Sequence, residues 1–290
     1  ILQSIYSCHM EVFIFLSGFI IRYSYKGVKS IKDYGNYIWK KFKKFFIWIL
    51  IIGIAIALFN YVVQPQGNII EYVTKSLRQV LLYPMHSEAS FLWYIYVLFG
   101  FYLISPLYFG LPQWAQRALC IVALMLPIVP ASQVLAAERF CKYTCFYCLG
   151  VLCAQGVEEL RAIKTWSWAL LSLPFLAFSV WLFVTHFQTQ TAQMPFLGTI
   201  TGFMALPFVY FLAIIMEKCV PVSAFFVRIG QDCYWIYILQ MFIIWTLAFL
   251  LEKTFLFYTP YLFIIFIPLA LISAIGLPIL FKALWQKIRK

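Results

Sequence analysis

From Phe45 to Val63 the chain carries no formal charge, and apolar stretches of this kind recur along most of its length. A helix needs about 20 such residues to cross a bilayer. A water-soluble fold of this size covers its core with charge, yet here 11% of the residues are charged and 64% are hydrophobic. The sequence therefore predicts a polytopic membrane protein. Its apolar runs lack strict two-residue alternation, which favours helices over a closed β-barrel.

On the scale of the bilayer about nine spans are expected in this chain. They centre on 10–24, 45–63, 91–110, 117–135, 140–155, 166–186, 196–216, 232–251 and 260–284. The expected fold class is an all-α polytopic membrane protein. No internal repeat and no low-complexity linker divides the sequence, so a single integral-membrane domain over 1–290 is expected.

The formal charge of +12 is distributed in short segments between apolar runs. That placement is the signature of cytoplasmic loops rather than of a nucleic-acid surface. Membrane lipids with anionic heads, or phosphate-bearing ligands, are the expected partners, and no nucleic acid is. The loop from Arg22 to Lys44 holds eight basic residues (Arg22, Lys26, Lys29, Lys32, Lys40, Lys41, Lys43 and Lys44) against one acid, Asp33. It is assigned to the cytoplasm, and alternation puts the loop at 64–90 outside. Arg117, Arg161, Lys164, Lys218, Arg228 and the C-terminal tail then fall inside. An odd number of spans leaves the first residues outside. One more span is expected upstream of Ile1, giving about ten in the complete protein with both ends cytoplasmic.

Four stretches hold candidate chemistry. The basic entry WKKFKKFF (39–46) reads either as a topology signal touching anionic lipid or as a clamp for a phosphate-bearing donor. Helical spacing puts Lys41 and Lys44 on neighbouring faces. The aromatic stretch 89–107 places Trp93, Tyr94 and Tyr96 where an interfacial belt would sit. Cys141, Cys145 and Cys148 have the spacing of an iron–sulfur motif, but on a helix that spacing is one face, and buried apolar cysteine is the better account. No metal site is expected, because the three histidines, His9, His86 and His186, form no metal-binding pair. His9 begins a span beside Glu11, and ionisable groups at membrane depth are functional candidates. A histidine there has the pKa range for proton transfer.

Taken in order, HMEVFIFLSGFI (9–20), KKFKKFFIWI (40–49), LWYIYVLFGFYLISPLY (92–108), FYCLGVLC (146–153) and IGQDCYWIYILQ (229–240) resemble the integral-membrane acyltransferase 3 family. Members of this family O-acetylate glycans and similar acceptors. The resemblance implies about ten membrane helices and a relay across the bilayer. Acetyl-CoA or another acyl-CoA, a donor substrate rather than a bound cofactor, would reach the cytoplasmic side. A glycan or lipid-linked sugar would offer its hydroxyl from outside, and the protein would sit in a bacterial inner membrane. The family's R-x-x-R pair falls on Lys41 and Lys44, which by this resemblance contact the donor's phosphates. Lysine keeps the charge but loses the planar fork of arginine.

The resemblance also implies that His9 and Glu11 line the outer mouth of an acceptor channel, orienting the hydroxyl or an acidic sugar. Trp93, Tyr94 and Gln240 would stand on the acceptor side. His9 is a candidate base, although the family's catalytic histidine lies upstream of Ile1. Ser17 and Gly18 would let helices approach closely. Phe91 and Gln240 stand where the family often has histidine, and glutamine can hold a hydroxyl but not take its proton. Two alternatives stay open on the sequence: a transporter or flippase for a small solute or glycolipid, and a family member that has lost catalysis.

Overall fold

The computed structural model describes residues 8–25, 27–65, 67–185, 195–253 and 262–288. Their regular structure is helical throughout. The elements are α1 (His9–Ser24), α2 (Ile31–Val63), α3 (Ile69–Leu82), α4 (Trp93–Gly110), α5 (Gln113–Ala123), α6 (Ala137–Gln155), α7 (Val157–Ala162), α8 (Thr165–Thr185), α9 (Pro195–Glu217), α10 (Val220–Lys253) and α11 (Leu262–Ile288), with short 3-10 turns between some of them. His186 lies outside the described residues.

Six helices among the described residues are long and apolar enough to cross a membrane, rather than the nine spans the sequence led us to expect. They are Ile31–Val63, Ser90–Gly110, Thr165–Leu182, Gly198–Glu217, Val220–Leu250 and Phe266–Lys287. The other three expected spans differ for separate physical reasons. Helix α1 has 16 residues, about 24 Å at 1.5 Å per residue, against a hydrocarbon core of about 30 Å. The run 117–135 is not one helix, because α5 ends at Ala123 and a 3-10 turn follows at Leu126–Ile128. Pro127 and Pro130 remove backbone donors there. Helix α6 has 19 residues, but Glu138, Arg139 and Lys142 interrupt its apolar character.

The described residues group into two compact units. The first comprises residues 1–49 and 78–215, and its centre is the packing of α6 on α1. A side chain at Gly18 would begin 2.2 Å from the carbonyl oxygen of Tyr147, and one at Gly150 would begin 2.1 Å from that of Phe15. Only glycine permits that separation at both points, so the two backbones touch directly. The close approach expected at Gly18 is thus present, with α6 as its partner.

Contacts along α1, α4 and α6 advance together. Ser17 Oγ meets Tyr94 OH at 2.8 Å, and further along Tyr25 stacks on Phe109 at 4.7 Å. Trp93 stacks on Tyr143 at 5.5 Å, Phe101 stacks on Tyr147 at 4.3 Å, and Ser105 Oγ meets Tyr147 OH at 2.6 Å. The three helices therefore run in the same direction. That agrees with the alternation read from the sequence, in which the runs at 10–24, 91–110 and 140–155 share one orientation. The chain returns from the Gly110 end to the Ala137 end through α5 and two 3-10 turns. Leu135 and Ala136 both take the left-handed backbone conformation on entering α6 (φ 54° and 60°). Such residues cost about 1–2 kcal/mol each. Ser132 holds the turn by accepting from the Glu138 N–H at 3.0 Å and the Val134 N–H at 3.1 Å.

The second unit comprises residues 50–77 and 216–290. Helices α10 and α11 pack through a buried acid: Asp232 pairs with Lys282, and Arg228 Nε lies 3.6 Å from Asp232 Oδ2. Phe59 meets Phe249 at 5.5 Å and Phe242 at 6.3 Å. Many large apolar side chains on these helices stay exposed, among them Ile54, Leu58 and Val62 on α2 and Leu277, Leu280 and Leu284 on α11. Their three- to four-residue spacing is what a lipid-facing stripe requires.

Candidate functional site

Two clusters in the first unit collect its charged and aromatic groups. They lie at different levels of the parallel helices α1, α4 and α6.

The first cluster forms at the Trp93 end. Glu11 projects from the first turn of α1 and is only 3% exposed. Two glycines of α9 make room for it. A side chain at Gly202 would begin 2.7 Å from Glu11 Cβ and Cγ, and one at Gly198 would begin 3.2 Å from Glu11 Oε1 and 3.3 Å from Lys142 Nζ. The carboxylate is thus seated between α1, α6 and α9, and the cations whose fields act on it are Lys142 and Arg139 of α6.

Those two cations also face rings. Lys142 Nζ lies 5.5 Å from the centre of Tyr143, and the Arg139 guanidinium carbon lies 5.6 Å from that of Trp93. Cation–π contacts of this kind contribute about 0.5–2 kcal/mol, more as water is removed. Arg139 Nε is buried and has no hydrogen-bond partner among the described residues. Tyr94 adds an edge-on contact with Phe13 at 6.5 Å to its hydrogen bond with Ser17.

His9 is the first residue of α1 and is half-buried. It stands two positions before Glu11, and side chains at that spacing leave a helix on opposite sides. Glu11 is buried in the bundle, while His9 is half-buried and has contacts of its own.

The second cluster gathers around Lys41. Its Nζ lies 3.8 Å from the centre of the Tyr102 ring and 5.6 Å from that of Tyr37. Tyr25 meets Tyr37 edge-on at 6.0 Å, and Arg22 lies over Phe109 at 5.8 Å. Lys44, one turn on, is exposed, and its charge repels that of Lys41. Tyr102 stands nine residues beyond Trp93 on α4, about 14 Å along the axis. The Glu11–Arg139–Lys142 group and the Lys41 cage are thus separate sites on one framework.

The acyltransferase-domain family matches the chain over residues 1–283. The chain belongs to the acyltransferase 3 family. No curated protein and no solved structure matches it. As a family member with six helices of membrane-spanning length and composition among its described residues, it is an integral membrane protein of acyltransferase type.

Within this acyltransferase 3 domain the expected site residues of the first unit fall in two places. Glu11, Trp93 and Tyr94 come together at one end of the first unit, Lys41 and Lys44 lie further along it, and Gln240 is a half-buried residue of α10 in the second. Phe91 sits in the 3-10 turn Ser90–Leu92 that leads into α4. Cys145 and Cys148 are buried in α6 and Cys141 is half-buried.

Sequence reasoning passed over Arg139 and Lys142. Their signal was the run ERFCKYT (138–144), which places three charges at the start of an apolar segment. The cysteine spacing in the same run drew the attention instead. Asp232 was passed over in the same way inside IGQDCYWIYILQ, although an acid within a span is itself a marker.

Proposed function

We propose that this acyltransferase moves an acetyl or other acyl group from cytoplasmic acyl-CoA to a hydroxyl of an extracytoplasmic glycan or glycolipid, in a bacterial inner membrane. The observation that carries this reading is the arrangement of the first unit, with a cation cage at one level of α1, α4 and α6 and a charged, aromatic cluster at another. Lys41 and Lys44 supply adjacent positive charge for the donor's phosphates. Anions bound by such a pair relieve its internal repulsion. The flexible thioester arm of an acyl-CoA bridges the roughly 14 Å that α4 sets between Tyr102 and Trp93.

The chemistry is acyl exchange. The acceptor oxygen attacks the thioester carbonyl carbon, a C–O bond forms and the C–S bond breaks. The hydroxyl proton passes to a base, and the thiolate of CoA leaves and takes up a proton. The transition state places negative charge on the carbonyl oxygen, which nearby cations or hydrogen-bond donors stabilise. The family pattern implies that the base is a histidine upstream of Ile1, and His9 is the alternative candidate on this chain.

The test follows labelled acetyl from acetyl-CoA onto lipid-linked or polymeric glycan, in inside-out vesicles holding the complete protein. Transfer that fails in a Lys41→Ala/Lys44→Ala variant supports the reading, and transfer that survives His9→Gln moves the base upstream. Absence of both acyl-CoA binding and transfer in the unmodified protein overturns it in favour of a transporter or a catalytically silent member.

A further inference from the structure

The cluster at the Trp93 end holds unequal charge. Arg139 and Lys142 are two basic groups whose fields act on one buried acid, Glu11. Glu138 also acts on Lys142, but it is exposed and water screens it. Arg139 Nε is buried without a hydrogen-bond partner among the described residues. An uncompensated positive charge and an unmet N–H donor are both costly in a water-poor site. A single group relieves both: an anionic oxygen. The half-buried Trp93 ring, stacked on Tyr143 beside Arg139, offers the flat apolar face on which a sugar ring packs.

We propose that the acceptor carries an anionic group, a carboxylate or a phosphate, which docks between Arg139 and Lys142 with the sugar ring against Trp93. The proposal rests on the acyl-transfer reading and adds to it the charge class of the acceptor. Glu11 has a defined part. Seated in the cleft at Gly198 and Gly202, it acts on Lys142 through its field and leaves Arg139 to face the incoming anion. Two cations with no acid would bind any anion that reached them. The fixed acid lowers the positive charge that an incoming anion meets and so makes the site more selective.

The experiment uses the complete protein in nanodiscs of zwitterionic lipid, with saturation-transfer NMR titrations of glucose, glucuronate and glucose 1-phosphate. At least one of the two anionic sugars is expected to bind about tenfold or more tightly than glucose, the scale of one charge-assisted hydrogen bond. Which of them wins identifies the group. Arg139→Gln and Lys142→Gln abolish the preference, and Arg139→Lys retains part of it. Should Lys142→Gln alone unfold because Glu11 loses its partner, Lys142→Gln/Glu11→Gln removes both charges and replaces it.

Equal binding of the three sugars by the unmodified protein overturns the proposal, as does a preference that survives loss of both cations. A preference that disappears when phosphatidylglycerol is added to the discs also overturns it, because the cations then serve a lipid headgroup. Acyl transfer to neutral glycans with no anion preference removes this proposal alone. Anion preference without any acyl transfer removes the transfer reading, and with it the acceptor role, while leaving the anion site standing.

Discussion

Gly18 and Tyr147 meet with no space between them: a β-carbon on Gly18 would begin 2.2 Å from the Tyr147 carbonyl oxygen. The obstacle is backbone on a packed helix, so no side-chain rotation relieves it. Gly18→Ala must therefore push α1 and α6 apart. Forced overpacking typically costs about 1–3 kcal/mol, occasionally more. The expected outcome is a thermal midpoint several degrees lower in detergent or nanodiscs. Gly230→Ala is the control, since nothing lies within 4 Å of a β-carbon there. Equal midpoints for the two variants would sink the idea that this crossing holds the first unit together.

The Lys41–Tyr102 contact makes a different kind of prediction. At 3.8 Å from the ring centre, the ammonium is held by the ring face as well as by its own stem. Tyr102→Leu keeps the lysine but removes the ring, a loss of about 0.5–2 kcal/mol in the lysine's positioning. If Lys41 receives the donor, KM for acyl-CoA rises by roughly two- to thirtyfold on that scale, while kcat changes little. Lys41→Ala has the larger effect on the same constant. Steady-state kinetics over a donor series decides, and an effect confined to kcat would place Tyr102 in the chemistry instead.

The hydrogen bond between Ser17 and Tyr94 ties α1 to α4 near the Trp93 end, at 2.8 Å. Ser17 also donates back to the Phe13 carbonyl at 2.8 Å, so it keeps one partner when the tyrosine hydroxyl is lost. Tyr94→Phe is expected to lower stability by about 1 kcal/mol. The Ser17→Ala/Tyr94→Phe double variant should cost clearly less than the two single losses combined, because both remove the same bond. Denaturation midpoints of the four proteins measure this coupling, and strict additivity would show that the bond contributes nothing.

Much of this arrangement was legible before any fold was known. Charge scarcity pointed to the class, and the basic entry at 39–46 drew attention to Lys41, whose ammonium lies against Tyr102 and Tyr37. Gly18 was recognisable as a point of close approach because a Ser-Gly pair inside an apolar run has few other uses. The surroundings of Glu11 were not legible. Its seat is made by Gly198 and Gly202, which lie far along the chain, and by cations on a helix whose cysteine pattern was more conspicuous than its charges. Local periodicity says which residues share a face of α6, but not that this face meets α1. The surplus of expected spans has a similar origin. Apolar composition over 117–135 signals burial, while Pro127 and Pro130 decide that the backbone turns instead of continuing as a helix.

Asp232 offers the sharpest test in the second unit. It is buried, it pairs with Lys282 on α11 and it has Arg228 one turn before it on α10. Asp232→Asn keeps the shape and removes the charge, leaving Lys282 partly buried without its counter-ion. Breaking such a pair from one side costs up to about 3–5 kcal/mol when both groups are fully buried. Because Lys282 keeps 26% of its side-chain exposure, a loss of about 1–3 kcal/mol is expected. Lys282→Met in the same background removes the stranded cation and should recover part of that loss. If Lys282→Met recovers nothing, the acid is held by Arg228 alone, and the joint between α10 and α11 rests on its aromatic contacts at Trp235 and Phe281.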